Sequence, residues 1–165
     1  MEESIPVALD WINGRRTPDA NQNLKGAITN LNLGASAPHL FLSLIHSICF
    51  GSKAIVNRFK EEGVEIAQIV GIGGVAKKSK FIMQTLADTL NMPVRVVESE
   101  QTPALGAGIY AALAAGLFSS FREASGVLGS KYIAEYHPNP SKVEIMKDLM
   151  KKYTKLGISI ENLTQ

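Results

Sequence analysis

The sequence predicts an α/β fold in which parallel strands are joined by packed helices. Residues 66–70 are short, rich in β-branched side chains and flanked by glycines, which is typical of a buried strand. Apolar residues then recur at helical spacing over 79–91, and Val94–Val97 reads as a second strand. A helix rich in alanine and glycine follows over 102–116. Strand, helix, strand and helix in this order imply parallel strands joined by a right-handed crossover.

A long amphipathic helix precedes the first of these strands. Ser36 fits an N-cap, and apolar side chains recur every three or four residues over 37–62. Gly63 fits a helix C-terminal cap. Gly51 lies inside the helix, where a glycine costs about 1 kcal/mol relative to alanine. We therefore expect another part of the chain to pack closely against Gly51.

The two ends of the chain differ from its middle. Residues 1–35 are rich in glycine, proline and asparagine, which predicts loops and turns packed on another element. We interpret them as the loop-rich start of a truncated domain, 36–137 as the main domain, and 138–165 as a carboxy-terminal helical tail. Within the main domain, we predict a short helix over 120–127 and an extended segment over 131–136.

Composition narrows the classes of partner and compartment. The chain has 165 residues, and its 17 basic and 15 acidic side chains give a formal net charge of +2. This balance gives no electrostatic reason to expect nucleic acid or a membrane as the main partner. We find no signal peptide and no apolar run of about 18 residues. We expect the single cysteine, Cys49, to be buried and to pack as a small hydrophobic residue. His39 and His137 have no Cys, Asp or Glu at the spacing of metal ligands. We expect no metal site and a reducing, cytoplasmic compartment.

The segment that carries chemistry is the glycine-rich run over 69–79. Gly71, Gly73 and Gly74 let the backbone approach a ligand that a Cβ atom would exclude. The start of the following helix offers unpaired N–H groups and the positive end of its dipole, which favour phosphate. Ligands of open α/β sheets also bind at the carboxyl ends of strands. A purely structural tight turn is the alternative interpretation.

Two nucleotide-binding motifs can be compared with this run. It is not a Walker loop, because Ala76 stands where the second glycine is required and no Ser or Thr follows Lys77. It does match the relaxed dinucleotide fingerprint Gly71-x-Gly73-x-x-Ala76, with Glu98 near the position of a ribose-binding acid. The local pattern therefore leaves an NAD-binding oxidoreductase domain open. Lys77 and the lysine after it, which we expect to be solvated, are unusual in the first turn of a closely packed helix.

Further motifs follow one another along the chain. They are the glycine pair at 73–74, Gln-Thr-Leu-Ala-Asp at 84–88, Pro-Val at 93–94, and Ala-Leu-Gly-Ala-Gly at 104–108. In this order they resemble the carboxy-terminal domain of the FGGY carbohydrate kinases, a family of the actin-like ATPase superfamily. The segment Leu-Asp-Trp-Ile-Asn-Gly-Arg-Arg-Thr-Pro at 9–18 resembles the branch of that family that acts on L-ribulose.

The resemblance implies a partial actin-like ATPase (ribonuclease H-like) domain, with 36–137 as its nucleotide-binding part and with ATP and Mg²⁺ as cofactors. The implied reaction is phosphoryl transfer to a ketopentose, at the 5-hydroxyl of L-ribulose, as in arabinose catabolism. It places Gly73 and Gly74 against the nucleotide, and a backbone N–H of Gly74 or Val75 near its phosphate or ribose. Ser79 matches the position that reaches adenine.

The same resemblance places the catalytic machinery outside this chain. The family's catalytic aspartate, its phosphate loop and most of its sugar pocket precede the matched region, so we assign no catalytic residue here. The sugar is expected to bind mainly through an amino-terminal domain, and the fragment alone is expected to be inactive. A non-catalytic actin-like nucleotide-binding module is a further alternative, and a homodimer is left open.

Two positions of the long helix depart from the family pattern. Leu42 and His46 stand where such sequences usually carry an arginine and a carboxylate. We expect His46 to be a core or interface residue rather than a ligand. Trp11, the only tryptophan, is left open between packing and function.

Overall fold

Helices and short strands alternate in the computed structural model, which describes residues 5–164. Its strands are β1 (Val7–Ala8), β2 (Ile28–Thr29), β3 (Ile69–Gly71), β4 (Val94–Val97) and β5 (Tyr132–Tyr136). Its helices are α1 (Ala37–Glu61), α2 (Gly73–Lys78), α3 (Lys80–Leu90), α4 (Thr102–Ala114), α5 (Phe121–Leu128) and α6 (Pro140–Thr164). The predicted α/β class is confirmed.

The chain divides into two compact units. The first contains the residues up to Ala67, Thr85–Met92 and the residues from Pro138 on. The second contains Gln68–Gln84 and Pro93–His137. The domain boundaries predicted from the sequence stay a prediction.

A three-stranded sheet in the order β3-β4-β5 forms the framework of the second unit. β3 runs parallel to β4, with Ile69 opposite Val94, as the order of elements predicts. β5 pairs with β4 in the antiparallel direction, which the sequence pattern did not predict. β4 is the central strand, with Val94 and Val96 buried, and β3 lies at one edge of the sheet. β3 begins later than predicted because its pairing with β4 starts only at Ile69.

The loop-rich start of the chain builds the core of the first unit. β1 packs against both α1 and α6. Leu9, Trp11 and Leu24 are buried in one apolar cluster. The other buried members of this cluster are Val7, Phe50, Met146, Leu149 and Tyr153. The expectation that the early loops pack on another element is confirmed, and Trp11 is a packing residue.

α1 ends in the way that the sequence predicts. Gly63 follows the helix with a φ of +76°, in the left-handed region that favours glycine. Its N–H donates to the Lys60 carbonyl oxygen at 3.1 Å, and the Val64 N–H donates to the Phe59 carbonyl oxygen at 2.8 Å. This pair of bonds is a Schellman motif, which satisfies carbonyl groups that the helix end leaves free.

α1 is also long and apolar enough, by length and composition, to cross a membrane. A helix in the core of a folded domain passes the same test, and α1 buries Phe50, Cys49 and Val56 within the first unit. The test therefore gives only weak evidence for a membrane span.

His46 is buried on α1, as expected for a core residue. Its ring centroid lies 6.0 Å from that of Phe50. Burial lowers the pKa of His46, because the apolar surroundings disfavour the charged imidazolium. At neutral pH this side chain is therefore an uncharged packing group.

Cys49 should be unreactive in the folded chain. Its side chain is 1% exposed, and burial raises the pKa of its thiol to about 12. Because the thiolate is the reacting form, we expect labelling by a disulfide reagent at pH 8 to be at least about 100-fold slower than in the urea-unfolded chain. Stopped-flow absorbance measures both rates. Equal rates would contradict the burial of Cys49.

Candidate nucleotide-binding site

The glycine-rich run forms a turn that leads from β3 into two consecutive helices. Ile72 has an extended backbone (φ −125°, ψ 161°), and Gly73 follows with a φ of +81°. α2 then runs to Lys78, and α3 begins at Lys80. The sequence predicted one helix over 79–91 and did not predict α2, because adjacent glycines disfavour helix.

The three glycines of this turn have different surroundings. A Cβ atom on Gly71 would lie 3.2 Å from the Cβ of Ala76 and 3.2 Å from the Sδ of Met83, so neighbours fill its space. A Cβ atom on Gly73 or Gly74 would meet nothing within 4 Å. The positive φ explains Gly73, because other residues rarely adopt it. Neither packing nor a positive φ within the described residues explains Gly74.

Apolar side chains lie beside this open backbone. Val70 at the end of β3, Ile72 in the turn and Val75 in α2 are all exposed. Grouped exposed apolar residues are typical of surfaces that bind a ligand or another part of a protein. The turn therefore combines accessible backbone with an apolar surface.

Ser79 separates α2 from α3. Its backbone is extended (φ −118°, ψ 92°), and its Oγ accepts a hydrogen bond from the Ile82 N–H at 3.2 Å. The hydroxyl thus caps α3, and its hydrogen can still be donated to a ligand. Gly74 lies in the first turn of α2 and Ser79 directly follows the helix, about 8 Å away along its axis at the usual helical rise.

The sequence predicted a solvated Lys77, but in the structure its side chain is held by two acceptors. Its Nζ donates to the backbone carbonyl oxygen of Glu98 at 2.9 Å and to Oε1 of Glu100 at 3.0 Å. This hydrogen bond and charge lower the pKa of Glu100. The prediction missed Glu100 because no short-range pattern links the two positions. Lys78 is exposed, as predicted.

Glu98 lies just beyond β4, as the dinucleotide fingerprint requires. Its N–H donates to the Lys131 carbonyl oxygen at 2.9 Å, and its own carbonyl oxygen accepts from Lys77. The residue is exposed, so its carboxylate is accessible. Local geometry alone therefore does not separate a dinucleotide site from an ATP site.

The turn offers no set of ligands for a metal ion. Across residues 5–164, no group of three His, Cys, Asp or Glu side chains is arranged to hold one. Glu100, beside the turn, is engaged with Lys77. The residues of this site do not fit a directly coordinated Mg²⁺.

Comparison with known proteins identifies the family. Residues 2–115 match the model of the C-terminal domain of the FGGY family of carbohydrate kinases. A ribulokinase from Vibrio parahaemolyticus is 43% identical over 165 residues, which is 100% of this chain and 29% of that protein. A ribulokinase from Shouchella clausii is 34% identical over 154 residues, which is 91% of this chain and 28% of that protein.

Solved structures show the same fold. A xylulose kinase from Lactobacillus acidophilus matches with a TM-score of 0.85 and 22% identity, over 94% of this chain and 31% of that one. A Plasmodium falciparum glycerol kinase with ADP matches with a TM-score of 0.74 and 20% identity, over 92% of this chain and 30% of that one. These matches confirm the actin-like ATPase fold.

The chain spans less than a third of the length of the curated relatives it matches. The family model, in contrast, covers well over half of the chain. The family that the motifs resembled is therefore confirmed: this chain belongs to the FGGY family of carbohydrate kinases, and it matches the C-terminal domain of that family.

Proposed function

We propose that the chain is the ATP-binding part of a sugar kinase that phosphorylates L-ribulose on its 5-hydroxyl. The substrate assignment is supported by the relative named ribulokinase that is 43% identical along the whole chain. The pathway would then be arabinose catabolism, in the cytoplasm.

The proposed nucleotide site consists of Gly73, Gly74, Val75 and Ser79. The observation that carries it is the position of Gly74 in the turn after β3, where neither packing nor a positive φ accounts for a glycine. Open backbone there lets an N–H of Gly74 or Val75 donate to a phosphate or ribose oxygen. The Ser79 hydroxyl, beyond α2, would donate to the adenine.

These residues bind and orient; they do not transfer a proton. Phosphoryl transfer depends mainly on positioning and on neutralising charge. Because no carboxylate at the turn is arranged for it, Mg²⁺ would be held by the nucleotide phosphates and by residues outside this chain. We therefore propose that an amino-terminal domain supplies the base and most sugar contacts, and that this chain alone is inactive.

Replacing Gly74 with valine tests the site. The space around Gly74 is open, so the folded chain should tolerate the new side chain, which would instead block a bound nucleotide. We expect ADP affinity, measured by calorimetry, to fall at least about tenfold, or about 1.4 kcal/mol. Gly126→Val in α5 is the matched control, because its surroundings are equally open and it lies outside the site.

The preference for ADP or NAD⁺ distinguishes the proposed kinase from an NAD-binding oxidoreductase domain. The kinase proposal predicts binding of ADP over NAD⁺ and little effect of Glu98→Ala on ADP. The dinucleotide fingerprint Gly71-x-Gly73-x-x-Ala76 instead predicts NAD⁺ binding that Glu98→Ala weakens. A preference for NAD⁺, or no nucleotide response even with an amino-terminal domain supplied, would rule out the proposed site. The third alternative, a non-catalytic actin-like nucleotide-binding module, would also bind ADP. It would differ from a kinase in lacking the catalytic aspartate in the part of the protein that precedes this chain.

A further inference from the structure

A cavity of about 720 Å³ lies within the first unit, far from the glycine turn in sequence. Its walls come from the loop over 10–19, the middle of α1, and the second half of α6. Small-molecule sites typically enclose about 300–1,000 Å³ and are mostly apolar with a few polar groups. This cavity has the size of such a site, and the sequence patterns did not predict it.

Exposed apolar side chains line this cavity. Ile12 is 73% exposed, Ile48 is 55% exposed and Ile158 is 53% exposed, although each belongs to a different wall. Ile55 and Met150 add to the same surface. Three exposed isoleucines that converge on one concave surface favour a ligand with an apolar body.

The acidic residues of the cavity all have partners. Asp10 accepts from the Tyr153 hydroxyl at 2.8 Å. Asp19 pairs with Arg58 at 2.7 Å, and Glu161 pairs with Arg15. The Arg15 guanidinium also lies over the ring of Trp11, 5.2 Å from its centroid. The two arginine pairs neutralise Asp19 and Glu161, whereas Asp10 keeps its negative charge, because its partner is a neutral hydroxyl.

Arg16 is the exception among the charged residues that line the cavity. Its guanidinium makes no ion pair or side-chain hydrogen bond with any residue in 5–164, and the residue is exposed. Asn13 and Thr17 line the same cavity and can donate further hydrogen bonds. Arg16 is therefore the one lining cation that has no ion-pair partner, and it lies beside an apolar surface.

We propose that this cavity binds an amphipathic monocarboxylate, with its aliphatic body against the isoleucines and its carboxylate on Arg16. A planar guanidinium pairs with a carboxylate through two parallel hydrogen bonds. One unpaired cation matches the single charge of a carboxylate better than a phosphate monoester, which carries nearly two charges at pH 7. This site is independent of the proposed nucleotide site.

Trp11 makes the proposal testable by fluorescence. It is the only tryptophan of the chain and it lines the cavity, so its emission reports on binding there. We expect saturable change with octanoate at concentrations on the order of millimolar, given the size of that ligand. Octanamide, an uncharged analogue of the same length, should bind about tenfold more weakly.

Two variants locate the binding. Arg16→Gln should remove the preference for octanoate over octanamide, whereas Arg122→Gln, at an exposed arginine of α5, should preserve it. Thr154→Phe, which fills the cavity from α6, should weaken both ligands at least about tenfold. Circular dichroism checks that each variant is folded, and the comparison of the two ligands needs no variant.

Three results would overturn the proposal. They are equal affinity for octanoate and octanamide, an Arg16→Gln chain that keeps the preference, and no saturable change up to about 20 mM ligand. Equilibrium dialysis with labelled octanoate measures its binding independently of Trp11 fluorescence. Binding to this chain that is lost in a longer protein with an amino-terminal domain would also overturn the proposal, because the cavity would then be covered in that protein.

Discussion

Replacing Phe50 with alanine is expected to lower the free energy of unfolding by about 3–5 kcal/mol. Phe50 is 2% exposed and belongs to the apolar cluster that joins α1, α6 and the early loops. Its ring centroid lies 5.5 Å from that of Tyr153 on α6. The truncation would remove this contact and leave a cavity that the surrounding helices cannot fully close.

Phe59→Ala on the same helix is the matched control. Phe59 is 48% exposed, so its truncation should cost less than about 1 kcal/mol. Urea unfolding followed by Trp11 fluorescence measures both variants, because Trp11 shares the cluster with Phe50. Similar losses for the two variants would contradict the packing of α1 described above.

Gly51→Ala is expected to destabilise the chain by about 1–3 kcal/mol, although alanine is the better helix former by about 1 kcal/mol. A Cβ atom at this position would lie 2.5 Å from Oδ2 of Asp10. The Asp10 carboxylate cannot move away freely, because its other oxygen accepts from the buried Tyr153 hydroxyl. Breaking such a bond to a charged group costs about 1.5–3 kcal/mol.

Gly106→Ala in α4 makes the same chemical change where a Cβ atom meets nothing within 4 Å. There alanine should stabilise the chain by about 0.4–1 kcal/mol, because it restricts the unfolded state. Urea unfolding followed by circular dichroism should therefore give changes of opposite sign. A stabilising Gly51→Ala would mean that Asp10 does not pack on the helix as described.

Local sequence signals were sufficient to predict most elements of the fold. β4 has the predicted bounds, and α1 ends within one residue of the prediction because Gly63 completes a cap through neighbouring residues. The close approach at Gly51 was also predicted, from the cost of a glycine in a helix. The start of β3 and the direction of β5 were not, because pairing with β4 decides both.

The candidate site was predictable only in part. The glycine run and its resemblance identified the turn, and the family is confirmed. The sequence could not show that Gly71 is needed for packing and Gly74 is not, because the space at Gly71 is filled by Ala76 and Met83 only in the folded chain. It could not predict that Lys77 pairs with Glu100 either, since that contact depends on how α2 packs on β4.

β3 has a consequence for how the chain behaves in solution. It ends the sheet on one side, so along residues 5–164 its outward-facing N–H and C=O groups meet no further strand. An exposed edge strand can pair with an extended segment of another molecule, and the exposed Val70 adds an apolar contact. Self-association through this edge would grow with concentration, which favours dilute samples for handling the chain alone.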